Sequence, residues 1–196
     1  MKKDVVGVEN RFMFEVVCTH CRGKNVAPQV VCMHCHHILQ FYTMNPFVIF
    51  QSSPNLPVNL KDRDNLYFAF QRQLHPDKLG HLSDAEKLCA ERHISQINDA
   101  YKALKRPISS GKAAVLYIKD ITTPLERFND QDIPQPEIEF LQSIMALQLT
   151  PTQDAISAIY ADVISDLNKA VTSLSSDKIL KAIARLTYVD RLQALT

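Results

Sequence analysis

Glycine is scarce in this chain, with four residues in 196, and none of them lies in a phosphate-cradling loop, an internal repeat or a low-complexity tract. Nucleotide chemistry is therefore not expected within the chain itself. Long apolar runs are missing too: no stretch approaches the roughly 18–20 consecutive apolar residues of a membrane span. The amino-terminal MKKDVVGVENRFMFEVV lacks an apolar secretory core before a small-residue cleavage site. Its Lys2, Lys3 and Arg11 are offset by Asp4, Glu9 and Glu15, which is a poor transit pattern. Secretion is not expected. Charge of one sign is also lacking. A formal net charge of +1 provides no overall field to gather nucleic acid or an anionic membrane. What remains, 46% hydrophobic and 22% charged residues, is the composition of a chain that folds by burial.

Cysteine is present in an uneven pattern. Cys18, Cys21, Cys32 and Cys35 fall as CTHC, ten residues, CMHC, while Cys89 stands apart. Two CxxC knuckles can each give two thiolates to one tetrahedral Zn²⁺ and leave no position open for water or substrate, which describes a structural site. Disulfides, a redox CxxC and iron are the alternatives. A segment this short cannot bury a useful core, and nothing in the sequence indicates an oxidising compartment, so structural zinc is the expectation. His20, His34, His36 and His37 crowd the same region; with four thiols at hand they read as surface residues.

Beyond the knuckles, Pro46, Pro54 and Pro57 punctuate the apolar run Phe47 to Phe50, which reads as one brief helix followed by a loop. Leu66, Phe70 and Leu74 then recur at helical spacing with Tyr67 alongside, and the pattern stops where Pro76 disfavours a helical His75. The next helix opens with Ser83 and Glu86 as a capping box and carries Ala90, Ile94, Ile97, Tyr101 and Leu104 on one face up to Pro107. Two amphipathic helices with a short connection pack antiparallel. His75, Pro76 and Asp77, from QRQLHPDKLG, thus sit at the exposed tip of a hairpin. Arg72 and Lys78, with Lys61 and Arg63, add a modest basic face.

The last third begins near Pro134 and Pro136. EIEFLQSIMALQL places Phe140, Ile144 and Leu147 on one strip and Ile138, Leu141 and Met145 on the adjoining one, a broad arc whose edge is free to face another protein. Thr150 reads as the cap of the following helix, with Pro151 in its first position and Gln153 closing the box. Ile156, Tyr160, Val163, Leu167, Ala170 and Leu174 then follow bundle spacing. A final helix carries Ile179, Ile183 and Leu186 on one stripe and Tyr188, Leu192 and Leu195 near the opposite side. Gly80 is assigned to the loop after the tip, and Gly111 to a bend before the fourth helix of the central unit.

HPD between a helix with Tyr67 and Phe70 and a helix with INDAYKAL, followed by the proline-led RPISSGKAAVLYIKD, resembles a J-domain. Together with the tetracysteine element and a helical unit running from EFLQSIMAL to ARLTYVDRLQAL, the chain resembles the HscB family of J-type co-chaperones of iron–sulfur cluster biogenesis. The tetracysteine extension is similar to that of eukaryotic members. The fold expected is mainly α: a tetracysteine zinc-ribbon-like element over residues 1–43, a J-domain with its helical hairpin over 44–120, and a carboxy-terminal three-helix bundle over 121–196.

The resemblance implies a non-enzymatic adaptor. His75, Pro76 and Asp77, supported by Arg72 and Lys78, would engage a DnaK-type chaperone (HscA or its mitochondrial counterpart), Asp77 meeting an arginine. Leu141, Met145 and Tyr188 would hold the cluster scaffold protein IscU. The acidic residues the family shows near Ala146 and Leu149 are absent, so docking would lean on apolar contact. Cys18, Cys21, Cys32 and Cys35 would hold structural zinc, in an element open to self-association. The compartment implied is the cytoplasm in a bacterium or the mitochondrial matrix in a eukaryote.

Other classes fit less well. An acid/base role for His75 and Asp77 lacks a nucleophile and a dry pocket. A nucleic-acid-binding ribbon has only Arg22 and Lys24 to offer. A J-domain protein bringing a different client to a general DnaK-type chaperone shares the HPD tip and differs only at the carboxy-terminal face. No membrane partner is expected.

Overall fold

A computed structural model describes residues 15–40, 44–54, 60–80, 82–120 and 123–194. The amino-terminal segment to residue 14, Pro57 and Leu195 lie outside these. Among the described residues are two short strands and seven α-helices, which agrees with the mainly helical expectation. One continuous cluster of buried side chains runs from Val16 to Leu192.

Residues 15–40 form the ribbon. Strand β1 (Glu15–Val17) pairs antiparallel with β2 (Lys24–Val26), Val16 opposite Asn25, and an isolated bridge joins Val31 to Ile38. The two cysteine knuckles repeat one geometry. The Cys18 carbonyl accepts from Arg22 N–H at 3.0 Å, and the Cys32 carbonyl accepts from His36 N–H at 3.0 Å. Both loops turn through left-handed backbone at the equivalent residue, Arg22 at φ 62° and His36 at φ 61°. Gly23 follows the first turn because a Cβ there would come within 2.5 Å of the His34 ring.

Helix α1 (Pro46–Ile49) is wholly buried and is capped by Asn45, whose side chain accepts from Phe47 N–H and donates to the carbonyls of Ala113 and Thr123. Helices α2 (Leu60–Gln73) and α3 (Asp84–Lys105) make the hairpin, and both halves of the Ser83–Glu86 capping box are present at the start of α3. Helix α4 (Pro107–Lys119) takes Pro107 at its first turn, where no N–H is required. It packs on α3 at one side and on α6 and α7 at the other. Its first turns bury small residues, Ser110, Gly111, Ala113 and Ala114, and its last bury the larger Val115, Leu116 and Tyr117.

Gly111 corrects one expectation. It lies inside α4 and not at a bend, and a Cβ there would meet Ile183 at 3.1 Å and Leu167 at 3.3 Å, so its role is close helix approach.

The carboxy-terminal unit comprises α5 (Ile138–Leu149), α6 (Gln153–Thr172) and α7 (Ser176–Gln193), with α6 and α7 packed along most of their length. Two local expectations shift here. Helix α6 starts at Gln153 after Thr152, and Thr150 instead terminates α5, its N–H returning to Ala146 O at 3.3 Å. Leu174 leaves the stripe, because the chain turns through left-handed backbone there (φ 50°) and exposes it. Ile179, Ile183 and Leu186 are fully buried, as is Leu192 on the second stripe, while Tyr188 is half-buried.

Candidate functional site

The hairpin tip is built by the two ends that enclose it. Leu74 is buried just past the end of α2, and Leu79 and Leu82 are buried ahead of α3, so the four residues between Leu74 and Leu79 are pinned at both sides. Between the pins His75 is extended (φ −63°, ψ 133°), and Pro76–Lys78 form one 3₁₀ turn. His75 Nδ1 accepts the Asp77 backbone N–H at 3.3 Å and lies 3.5 Å from Asp77 Oδ2. In the neutral ring that acceptor role leaves the proton on Nε2. His75 is 58% exposed and Asp77 88%. The tip therefore offers a ring and a carboxylate in a fixed relation, with no dry pocket around either.

Arg72 and Lys78 flank the tip and are exposed, as is Lys61, but Arg63 does not join them. It is 2% exposed, its guanidinium lies 5.5 Å from the Tyr101 ring, and burial pushes its pKa below the usual arginine value. The basic face inferred from sequence thus loses one member to the core.

Contacts that sequence reasoning missed hold the hairpin in register. Tyr67 OH and Gln71 Nε2 both donate to Asn98 Oδ1, at 3.0 and 2.9 Å, Tyr101 OH donates to Asp64 at 2.8 Å, and the Tyr67 and Tyr101 rings stack at 4.1 Å. Polar residues beside an aromatic stripe were the signal available.

The four knuckle cysteines converge. Cys18 Sγ lies 3.7 Å from Cys35 Sγ and Cys21 Sγ 3.7 Å from Cys32 Sγ, and all four sulfurs fall within 4.8 Å of one another, close enough to hold a metal ion. Cys18 and Cys32 are buried. Donors point at the sulfurs: Gly23 N–H at Cys21, and His34 N–H with Asn25 Nδ2 at Cys32, each at 3.4 Å. Burial alone would raise the Cys32 thiol, but these donors outweigh it and bring it down to about 5. Cys35 accepts from His37, yet burial and the other three sulfurs push it up to about 12.

Of the neighbouring histidines, His34 is tied to the Lys24 carbonyl at 3.1 Å. His20 and His37 stack face to face at 3.5 Å beside Cys35. Their parallel rings direct the in-plane lone pairs poorly toward one shared ion.

The ribbon meets α3 at the Leu39 carbonyl and at His37, whose Nε2 lies 3.9 Å from Glu86 Oε1. Leu39 O accepts from His93 Nε2 at 3.1 Å and from Cys89 Sγ at 3.3 Å. Cys89, which has no evident partner in the sequence, finds one fifty residues away. His93 is buried, and that burial lowers its pKa despite the bond.

The third region is α5. Ile144 is buried against the bundle, but Ile138, Met145 and Leu149 are 69%, 63% and 85% exposed, and Leu141 is half-buried between them. An apolar edge of this size on one helix is uncommon unless something covers it. Tyr188 stands on α7, its OH donating to Gln135 Oε1 at 3.3 Å ahead of α5, with Arg191 over its ring.

A two-helix hairpin with an exposed HPD tip, backed by a proline-led helix, defines a J-type co-chaperone. Comparison with known proteins narrows the class. No family model matches the chain. The HscB co-chaperone homologue of Colwellia psychrerythraea is 30% identical over 170 residues, covering 76% of this chain and 97% of the relative. That of Shewanella loihica is 30% identical over 172 residues, 77% and 94%. The mouse iron–sulfur cluster co-chaperone HscB is 28% identical over 95 residues, 48% of this chain and 41% of its own. The human HscB crystal structure superposes with a TM-score of 0.71 at 21% identity over 91% of this chain and 95% of that one, and Vibrio cholerae HscB with 0.59 at 21% over 78% and 94%. The chain belongs to the HscB co-chaperone family.

Proposed function

We propose that this protein is the adaptor of iron–sulfur cluster assembly that brings the cluster scaffold protein IscU to a dedicated DnaK-type chaperone and stimulates that chaperone's ATPase. It performs no bond chemistry itself. The observation that carries the reading is the His75–Pro76–Asp77 tip, exposed and fixed by its own bond between His75 Nδ1 and Asp77 N–H. Asp77 presents its carboxylate to an arginine of the ATPase, and Arg72 and Lys78 meet acidic groups around it. The work divides along 1–43, 44–120 and 121–196, in the cytoplasm of a bacterium or the mitochondrial matrix of a eukaryote.

The scaffold sits on Leu141, Met145 and Tyr188. The apolar exposure of α5 supports this, and with Ala146 and Leu149 on the same helix the contact is desolvation-driven. Cys18, Cys21, Cys32 and Cys35 hold structural zinc. Sulfurs about 2.3 Å from a tetrahedral Zn²⁺ stand about 3.8 Å apart; here Cys18–Cys35 and Cys21–Cys32 stand at 3.7 Å and all four sulfurs lie within 4.8 Å of one another. Four protein ligands leave no open position, so the ion shapes the ribbon and activates nothing.

Two measurements test the reading. Asp77→Asn is expected to abolish single-turnover stimulation of the DnaK-type ATPase with unchanged helical circular dichroism; full stimulation by the variant overturns the tip assignment. Calorimetric titration with IscU is expected to show binding that Leu141→Ala/Met145→Ala/Tyr188→Ala weakens by at least about tenfold. A well-folded wild type that fails to bind IscU leaves a J-domain co-chaperone with another client, the reading favoured by the missing acidic residues at Ala146 and Leu149.

A further inference from the structure

Beside the N-terminus of α5, the groove between α6 and α7 opens into a cavity of about 460 Å³. Its floor is made of Ala170 and Ala182, and its walls carry four cations, Lys169, Lys178, Lys181 and Arg185, against two carboxylates, Glu137 and Asp166. The pairing is unequal. Arg185 is clamped between Glu137 Oε2 at 2.9 Å and Asp166 Oδ2 at 3.5 Å, and Lys169 reaches Asp166 at 3.7 Å. Lys178 and Lys181, one turn apart on α7, make no ion pair within 4 Å among the described residues, though Lys181 adds to the field that, after its own backbone bond and Arg185, holds the Glu137 carboxyl below the usual range. Two ammonium groups thus line a concave site whose anions are already engaged.

The cavity adjoins the apolar face. Glu137 caps α5 one turn before Leu141, Arg185 precedes Tyr188 by one turn on α7, and the Arg185 guanidinium also lies 5.4 Å from the Phe140 ring. Helix α5 itself carries a single charged residue, Glu139, so it has little with which to select a partner by charge. We propose that this groove is an acidic-peptide site: a carboxylate-bearing segment of the protein that covers α5 enters it and pairs with Lys178 and Lys181. The inference rests on the scaffold-docking reading above and adds the chemistry of the partner. Two carboxylates in the wall disfavour a flat anionic membrane or a continuous phosphate backbone, whereas a peptide can place single side chains past them.

The test uses the full chain and Lys178→Glu/Lys181→Glu, with Lys178→Gln/Lys181→Gln as the milder pair. These exposed positions leave the helical fold intact, which circular dichroism checks. Binding to IscU is titrated at low and high salt, and a fluorescent hexaglutamate peptide serves as an independent probe. The charge reversal is expected to weaken both by on the order of tenfold at low salt and to flatten the salt dependence, the glutamine pair by less. Met145→Ala should weaken IscU binding without changing that salt dependence.

Unchanged affinity and salt slope in the reversal variant overturn the proposal. If IscU does not bind wild type, the docking reading fails by itself and hexaglutamate decides the groove: lysine-dependent binding sustains it, and no binding overturns it. Lysine-dependent capture of a single-stranded oligonucleotide in place of the peptide overturns it as well.

Discussion

Between residues 15 and 40 the chain has two three-residue strands and a handful of buried apolar side chains such as Val16, Val30, Ile38 and Leu39, whereas α4, α6 and α7 bury whole stripes against one another. The ribbon takes its shape from four convergent sulfurs and two repeated knuckle turns. The helical body takes its shape from burial, at roughly 1.5–3 kcal/mol for each large apolar side chain. Two physical solutions therefore coexist in one continuous buried cluster, with the Leu39 carbonyl among the contacts that join them. The two halves are expected to respond differently to the loss of sulfurs and to the loss of buried apolar groups.

The strongest way to break that separation is Cys32→Ser. Structural zinc of the kind proposed supplies an apparent ~10–16 kcal/mol, so the variant is expected to abolish metal uptake and the amide-exchange protection of residues 15–40 while the helical signal persists. Metal analysis with hydrogen exchange reads both, and loss of helix along with the ribbon would erase the distinction. Leu186→Ala does the reverse. Leu186 is fully buried where α7 meets the body, and its truncation should cost about 2–5 kcal/mol in denaturant melts. Retention of one equivalent of metal by this variant keeps the two halves separate.

The smallest effect belongs to the joint. Burial depresses the native pKa of His93, so the unfolded or undocked chain binds a proton more readily than the native one. Its contribution is complete above about pH 6.5, the ordinary histidine value, and is lost as pH falls below that toward the native pKa, by at most ~1.4 kcal/mol per pH unit. Exchange protection at Leu39 should fall with acid in wild type and lose this pH dependence in His93→Gln. A flat profile in wild type removes histidine from the joint.

Much of the helical half is legible in the sequence because its signals are local and repeated. Pro76 stops α2, Ser83 and Glu86 start α3, and Leu66, Phe70 and Leu74 recur on one face. The cysteine spacing likewise points to four sulfurs converging, as they do. Reading fails where two local rules compete or where the cause is distant. Thr150-Pro151 satisfies a helix start, yet Thr150 already closes α5, and Leu174 continues the α6 stripe only until the chain turns left-handed. Arg63 belongs by pattern to a basic face and by packing to the Tyr101 ring. Gly111 answers to Ile183, seventy-two positions away, and Leu39 to His93, fifty-four positions away. The hairpin tip was recognisable from its residues alone; the lysine groove joins α5, α6 and α7, and no contiguous segment contains it.

Helix α4 lends the molecule a property of a different kind. Thirteen residues long, or about 20 Å, it is gripped by the hairpin on one flank and by α6 and α7 on the other, with Gly111 seated against Ile183. It works as a spacer bar. On the proposed reading, two molecules seated at Asp77 and at Met145 would be kept at one distance and one mutual angle by this bar.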